Sequence, residues 1–236
     1  MAEKHNLIIN GSGSYGGGFF NKIKIRGEGT ITSDFECEAF KTYGTSSILK
    51  NGTAGKFDVY GEVEILGNLV VDEMKIFGTA AVGGTGAIRK TKVWGTLDLG
   101  NRFSGEEVDI KGSLSVKGDA EFEIFQSTGA FEISGLLNAG IVKLNPRFGT
   151  SNADEIGGEK IIVKRKLGFF PFFTGDGSLE ARVIEGDEIF LENTRAEVVR
   201  GNRVHIGVGC EIGLVEYKEE FTADANARVK QHRKVG

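Results

Sequence analysis

A parallel β-solenoid, an all-β fold with coils of about 17 residues, is what this sequence predicts, and three observations predict it. Gly27, Gly44, Gly61, Gly78, Gly95, Gly112 and Gly129 recur at intervals of 17 without a slip. Mostly apolar, β-branched residues recur in step with them: two positions before each glycine stand Ile25, Thr42, Val59, Ile76, Val93, Ile110 and Ser127, and four positions after stand Ile31, Ile48, Ile65, Val82, Leu99, Val116 and Ile133. No stretch sustains the apolar spacing of three and four that a helix needs, whereas apolar residues two apart have the period of strands with one buried face.

Within the unit, further inward columns fall at the eighth position (Phe35, Gly52, Leu69, Gly86, Phe103, Ala120, Leu137), the tenth (Cys37, Ala54, Val71, Ile88, Gly105, Phe122, Ala139) and the thirteenth (Phe40, Phe57, Met74, Thr91, Val108, Phe125, Val142). The sixth position is turn-like, with Ser33, Lys50, Gly67, Gly84, Asn101, Gly118 and Gly135. Each unit therefore reads as three short strands and their corners, a triangular cross-section. One such coil buries too little apolar surface to offset the ordering of its backbone. Stacked coils share a hydrogen-bond ladder at roughly 4.8 Å and a continuous interior. The glycine column suits corners that a side chain would obstruct or that need positive φ.

Taken along the chain, residues 1–6 read as a short N-terminal tail without a basic and apolar leader. The register extends backwards over Leu7, Ile8, Ile9 and Asn10, with Phe20 and Ile23 in the tenth and thirteenth columns, so the core is expected over residues 7–149. Ile8, Phe20 and Ile23 line the expected first coil and are the candidate polymerisation residues, because an end coil exposes unpaired backbone and an open apolar interior. The pattern weakens at Lys143 to Phe148, where Pro146 takes the glycine position, and Gly149 to Gly158 is polar. Residues 150–178 read as a linker carrying Lys164, Arg165, Lys166, Phe169, Phe170, Phe172 and Phe173. Cations beside aromatics suit a membrane-contact segment meeting an anionic surface, and burial against the solenoid suits them equally. Two or three further coils are expected over 179–217, then a polar, basic-ended tail over 218–236, disordered or weakly helical.

Composition narrows the functional classes. The 36 glycines, with only 2 prolines, serve ordered turns rather than a collagen or a Pro-rich linker. With 29 basic and 33 acidic side chains the net charge of −4 does not announce a nucleic-acid partner. Cys37 and Cys210 are the only cysteines, and no apolar run approaches the roughly 20 residues that span a bilayer, so a cytoplasmic protein with reduced thiols is expected. His5, His205 and His232 are the only histidines and lie outside the regular repeats; no His/Cys cluster has metal-ligand spacing. Gly11 to Gly18 is glycine-rich, but no Lys-Ser or Lys-Thr follows, so no nucleotide, metal or other cofactor is expected. In the column directly before the glycines, Tyr43, Tyr60, Phe77 and Trp94 occupy four consecutive coils on the outer face. They are a stacking ladder that reinforces the sheet or a lateral interface.

The tandem units, such as Lys24-Ile25-Arg26-Gly27-Glu28-Gly29-Thr30-Ile31 and Asp58-Val59-Tyr60-Gly61-Glu62-Val63-Glu64-Ile65, resemble the repeats of bactofilins, polymer-forming proteins of the bacterial cytoskeleton. The resemblance covers roughly residues 7–149 and, less fully, 179–217. It implies a right-handed β-helix that polymerises end to end without nucleotide, with itself or with a paralogous bactofilin, at the inner face of the cell membrane, as a scaffold for cell shape, division or motility. The membrane-targeting peptide common in the family looks short or absent, and its Pro-rich tail is missing. The alternatives are a monomeric or dimeric partner-binding module or adhesin, and, third, a β-helix enzyme acting on polysaccharide or transferring acyl groups.

Overall fold

The computed structural model describes residues 5–147, 149–164 and 177–236, and among them strands and turns account for all the regular structure, with no helix. The strands pair in parallel, coil upon coil, as a β-solenoid. Two compact units divide the chain at Gly118 and Asp119.

In the first unit each coil is a four-residue strand, such as Glu62–Ile65, then a corner and an eight-residue strand, such as Leu69–Ile76. Glu62 stands opposite Thr79, Leu69 opposite Gly86 and Ile76 opposite Val93, so the repeat of the sequence is the pitch of the stack. Inward side chains of the long strand are Leu69, Val71, Met74 and Ile76; the change of parity after Val71, with Asp72 left out of the pairing, is a bend. Three faces result: the short strand, and the two halves of the long one. In one coil the halves separate as Phe103–Ser104 and Glu107–Ile110.

The core is a set of ladders. Ile31, Ile48, Ile65, Val82, Leu99 and Val116 follow one another within 1% of full burial, and Phe40 stacks on Phe57 with centroids 4.3 Å apart. A column two residues after the glycines, with Val63, Ala80, Leu97 and Leu114, is buried as well. Its early members Gly29 and Ser46 are not apolar, which hides it from a reading by hydropathy.

The glycine corners are dictated by contact, not by φ. A Cβ on Gly61 would lie 2.2 Å from the carbonyl oxygen of Gly44, and one on Gly78 would lie 1.9 Å from that of Gly61. None of these glycines has positive φ, which is confined among the described glycines to Gly11, Gly18, Gly149 and Gly209.

The first coil corrects the expected register. Ile9, not Ile8, stands opposite Ile25, and Ser12 stands opposite Glu28, while Gly18 is opposite Phe35. The coil is one residue short there, with Gly11 rather than Asn10 at the corner against Gly27. A slip of one residue turns a strand over: Ile9 is 1% exposed and Ile8 is 51% exposed. Ile8 does not line the coil; Phe20 and Ile23 do. Among the described residues strand structure begins at His5, within the stretch expected as a tail.

In the second unit the coil length varies. Cross-coil contacts link residues 20 apart (Phe131 and Ser151), 28 apart (Thr150 and Ser178), 15 apart (Glu180 and Arg195) and 16 apart (Arg200 and Glu216). The expected linker is corrected over its first half: Thr150–Val163 is a strand, paired with Ala130–Leu144 and Ser178–Leu191. Its inward positions begin with Ser151 and Ala153, small residues without a hydropathic signal, before Ile156, Ile161 and Val163 continue the core. Ser151 Oγ accepts a hydrogen bond from the Phe131 N–H at 3.3 Å, which meets its buried polarity. The tail is corrected too. Glu211–Ala223 runs past residue 218, and Arg228–Lys234 adds a further strand, paired in parallel with Glu211 to Tyr217. Its two arginines are matched to carboxylates one coil back, Arg228 to Glu211 at 3.7 Å and Arg233 to Glu216.

Candidate functional site

Among the described residues, the start of the first unit is an open edge: His5–Ile9 pairs only with Gly18–Ile25, and Ser12–Tyr15 only with Glu28–Ile31, so one side of each carries free backbone donors and acceptors. Beneath that edge the interior is apolar: Ile9, Phe20 and Ile23 are buried, and the His5 ring meets Phe20 edge-on at 5.0 Å. Tyr15 stands opposite Ile31, in an inward column, yet is 40% exposed, because no further coil covers it among the described residues. Its ring lies over Gly13. Ile8 and Phe19 are exposed on the outer side of the same coil. Hydropathic spacing alone misses Ile9 and Tyr15; taking Gly11 as the corner glycine finds both.

At the opposite end of the chain the edge is different in kind. Arg228–Lys234 is exposed at nearly every position, and its inward members are Val229 and His232, opposite Ile212 and Val215. His232 lies 4.8 Å from the Phe221 ring, which itself packs against Tyr217 at 5.5 Å. This edge is cationic and polar where the first is neutral and apolar.

Tyr43, Tyr60, Phe77 and Trp94 form one continuous stack, with centroids 5.1, 4.9 and 4.7 Å apart and planes within 13° of parallel. Tyr60 and Phe77 have both faces covered by neighbouring rings, so the middle of the stack presents ring edges outward. Ammonium groups close its sides: Lys41 lies 4.9 Å from the Tyr60 centroid and Lys111 5.3 Å from Trp94. The stacking expectation is met. The same residues remain 38–47% exposed.

Of the basic and aromatic segment only Lys164 can be placed; its ammonium sits 5.3 Å over the Phe190 ring. Arg165, Lys166, Phe169, Phe170, Phe172 and Phe173 lie outside the described residues.

The ionisable groups of the second unit are tied into ladders across coils. Glu180, Arg195, Glu211 and Arg228 alternate in one, and Glu185, Arg200, Glu216 and Arg233 in another. In a third, Lys160, Glu188, Arg203 and Glu219 follow each other at 2.7, 2.5 and 3.7 Å. Hydrogen bonds from Arg200 and Arg233 hold the Glu216 carboxyl below the usual carboxylate range, and those from Lys160 and Arg203 do the same to Glu188. Asp154 is lowered likewise by Arg182. A groove along the corner between the first two faces, lined by Ala153, Ala181, Ala196 and Ile212, is bordered by these paired charges.

His205 points outward, stacked on Phe190 at 4.7 Å and hydrogen-bonded through Nδ1 to the Thr222 hydroxyl at 2.6 Å. Burial pushes the Cys210 thiol up to about 11, and its Sγ–H donates to the Leu191 carbonyl at 3.3 Å. Cys37 is buried in the first unit. Among the described residues no group of three or more His, Cys, Asp or Glu side chains is placed to hold a metal ion, and no helix is long and apolar enough to cross a membrane.

No family model matches the chain, and no solved structure matches it. Among curated proteins it is 47% identical to the uncharacterized protein YhbE of Bacillus subtilis (strain 168) over 237 aligned residues, covering 100% of both chains. It is 46% identical over 101 residues to the uncharacterized protein YhbF of the same organism, a match that spans 43% of this chain and 42% of that one.

Proposed function

The chain belongs to the family of the Bacillus subtilis protein YhbE, and from that premise we propose that it is a non-enzymatic cytoskeletal scaffold of the bactofilin kind. It polymerises through the ends of its solenoid, without nucleotide, in the cytoplasm and, where its basic and aromatic segment engages lipid, at the inner face of the membrane. The observation that carries this reading is the first coil. Free backbone groups over an apolar interior are what a stacking fold needs to add one more coil, and such an edge is a template for another chain. Asp154, Glu188 and Glu216 are each lowered by hydrogen bonds from arginines or lysines on adjacent coils, which supports a structural role for these three carboxyls. Cys210, with its raised pKa, is a poor nucleophile.

A second reading, a discrete dimer that binds partners, draws on the cationic strand Arg228–Lys234. Contact between two identical apolar ends closes on itself, and a charged opposite end would not extend it.

Electron microscopy of the purified chain at micromolar concentration, in EDTA and without ATP or GTP, tests the proposal. Filaments are expected; a discrete dimer in sedimentation would favour the second reading. Phe20→Arg should lower the oligomeric order while leaving a β-rich circular dichroism spectrum. Tyr15→Arg places a charge on the same edge without removing a buried side chain, so it should act alike even if Phe20→Arg disturbs the coil. Intact filaments from both variants would move the polymer contact elsewhere.

A further inference from the structure

The outer faces of the first unit differ in charge. On the face that ends at the aromatic stack, one outward column carries Lys24, Lys41, Lys75 and Lys92 against Asp58 and Asp109. The neighbouring column adds Lys22, Lys56 and Lys90 against Glu73 and Glu107, so lysine is in excess on both. Across the stack lies the face of short strands, whose outward positions hold Glu28, Glu62, Glu64 and Asp98 and no lysine or arginine. The remaining face is acidic too, but there Arg89 is shared between Asp72 and Glu106. The two faces flanking the aromatic corner are thus a basic and an uncompensated acidic surface, ruled at the same coil spacing.

We propose that the lysine face of one copy docks on the short-strand face of another, side by side, as the lateral contact between polymers. This rests on the polymer reading above. Because both faces repeat at about 4.8 Å, they can lie in register, with the coils of Glu28, Glu62 and Asp98 offering carboxylates to the lysines. The contact joins two different patches, so it need not close and can add copies indefinitely. Six coils about 4.8 Å apart, with strands of four or five residues, give each face roughly 400 Å², about half the 800 Å² per partner of a stable specific complex. A single pair is therefore weak, and the contact becomes firm only when an end-joined polymer repeats it. Exposed charges at this distance are screened by salt, so bundles should loosen as salt rises while the apolar end contact holds.

A carbodiimide, which joins amines to carboxylates in contact, reads the proposed pairing directly. In a mixture of isotopically light and heavy protein, light-to-heavy cross-links are expected between Lys75, Lys90 or Lys92 and Glu62, Glu64 or Asp98. Their absence would overturn the proposal. Cross-links missing from filaments seen by microscopy would overturn the lateral contact alone, whereas a sample without filaments would sink the polymer reading and, with it, the lateral contact that rests on it. Charge reversal adds a second measurement. Lys75→Glu with Lys92→Glu, or Glu62→Lys with Glu64→Lys, should each abolish bundling seen by microscopy, and all four together should restore it. If only the lysine reversals matter, the fourfold variant stays unbundled, and the wild type sediments with phosphatidylserine vesicles, the face meets anionic lipid and the proposal fails.

Discussion

A single residue decides which way the first strand faces. Gly27, Gly44 and Gly61 set a period of 17, and running it backwards places Asn10 at the corner and Ile8 inside. Gly11 takes the corner instead, so Ile9 turns in. Spacing misleads at this coil and residue type does not: Gly11 sits at a φ of 106°, a conformation that favours glycine, and Gly27 has no room for a Cβ against the Gly11 carbonyl. Thr91 shows the opposite case, a position that the pattern places correctly and the chemistry does not favour. It lies between Met74 and Val108 in a ladder, 1% exposed, and its Oγ1 is without a hydrogen-bond partner. Thr42, equally buried, has its hydroxyl bonded to Ser46 at 2.7 Å. An unmet buried hydroxyl costs roughly 1 to 3 kcal/mol. Thr91→Val keeps the branched shape and removes the hydroxyl, and should raise the unfolding free energy by about 1 kcal/mol in urea melts. A loss of stability would mean that the hydroxyl is satisfied after all.

At the scale of the element, legibility follows constancy of length. In the first unit, where spacing is uniform, aligning columns is enough to place the buried ladders and the aromatic stack. The second unit is far less legible because its coils change length, from 15 residues between Glu180 and Arg195 to 28 between Thr150 and Ser178. Columns then no longer align, and strands built on Ser151 and Ala153, or on Arg228 and Arg233, look like linker and tail. The aromatic stack also has an energetic consequence. Phe77 touches two rings, Tyr60 at 4.9 Å and Trp94 at 4.7 Å, and each such pair is worth roughly 0.5 to 1.5 kcal/mol. Phe77→Ala should therefore cost about 1 to 3 kcal/mol, and Trp94→Ala, at the end of the stack, about half as much. Equal costs at both positions in denaturant melts would show that the rings act singly and not as a ladder.

For the whole molecule, the two units hold themselves together by different means, and pH separates them. In the first unit apolar and aromatic ladders dominate. In the second, Asp154, Glu188 and Glu216 have pKa values lowered in the folded chain by hydrogen bonds from Arg182, from Lys160 and Arg203, and from Arg200 and Arg233. A carboxyl with a depressed folded pKa stabilises fully above its unfolded value, near 4, and loses that contribution as pH falls through the folded value. Glu216 matters most, because its side chain is only 11% exposed and serves two arginines, one on the coil before it and one on the coil after. Protonating it leaves Arg200 and Arg233 facing each other across a neutral acid, so the last strand loses the partner that matches its cations. Neutral pH should leave both units intact. As pH falls below about 4, the amide-exchange protection of residues 178–234 should fall relative to that of residues 35–116, with Arg228–Lys234 released first. Glu216→Gln, which cannot ionise, should release that strand already at neutral pH. Loss of protection in the first unit before the second, or in both together, would show that the charge ladders are decoration on a stack held by its interior alone.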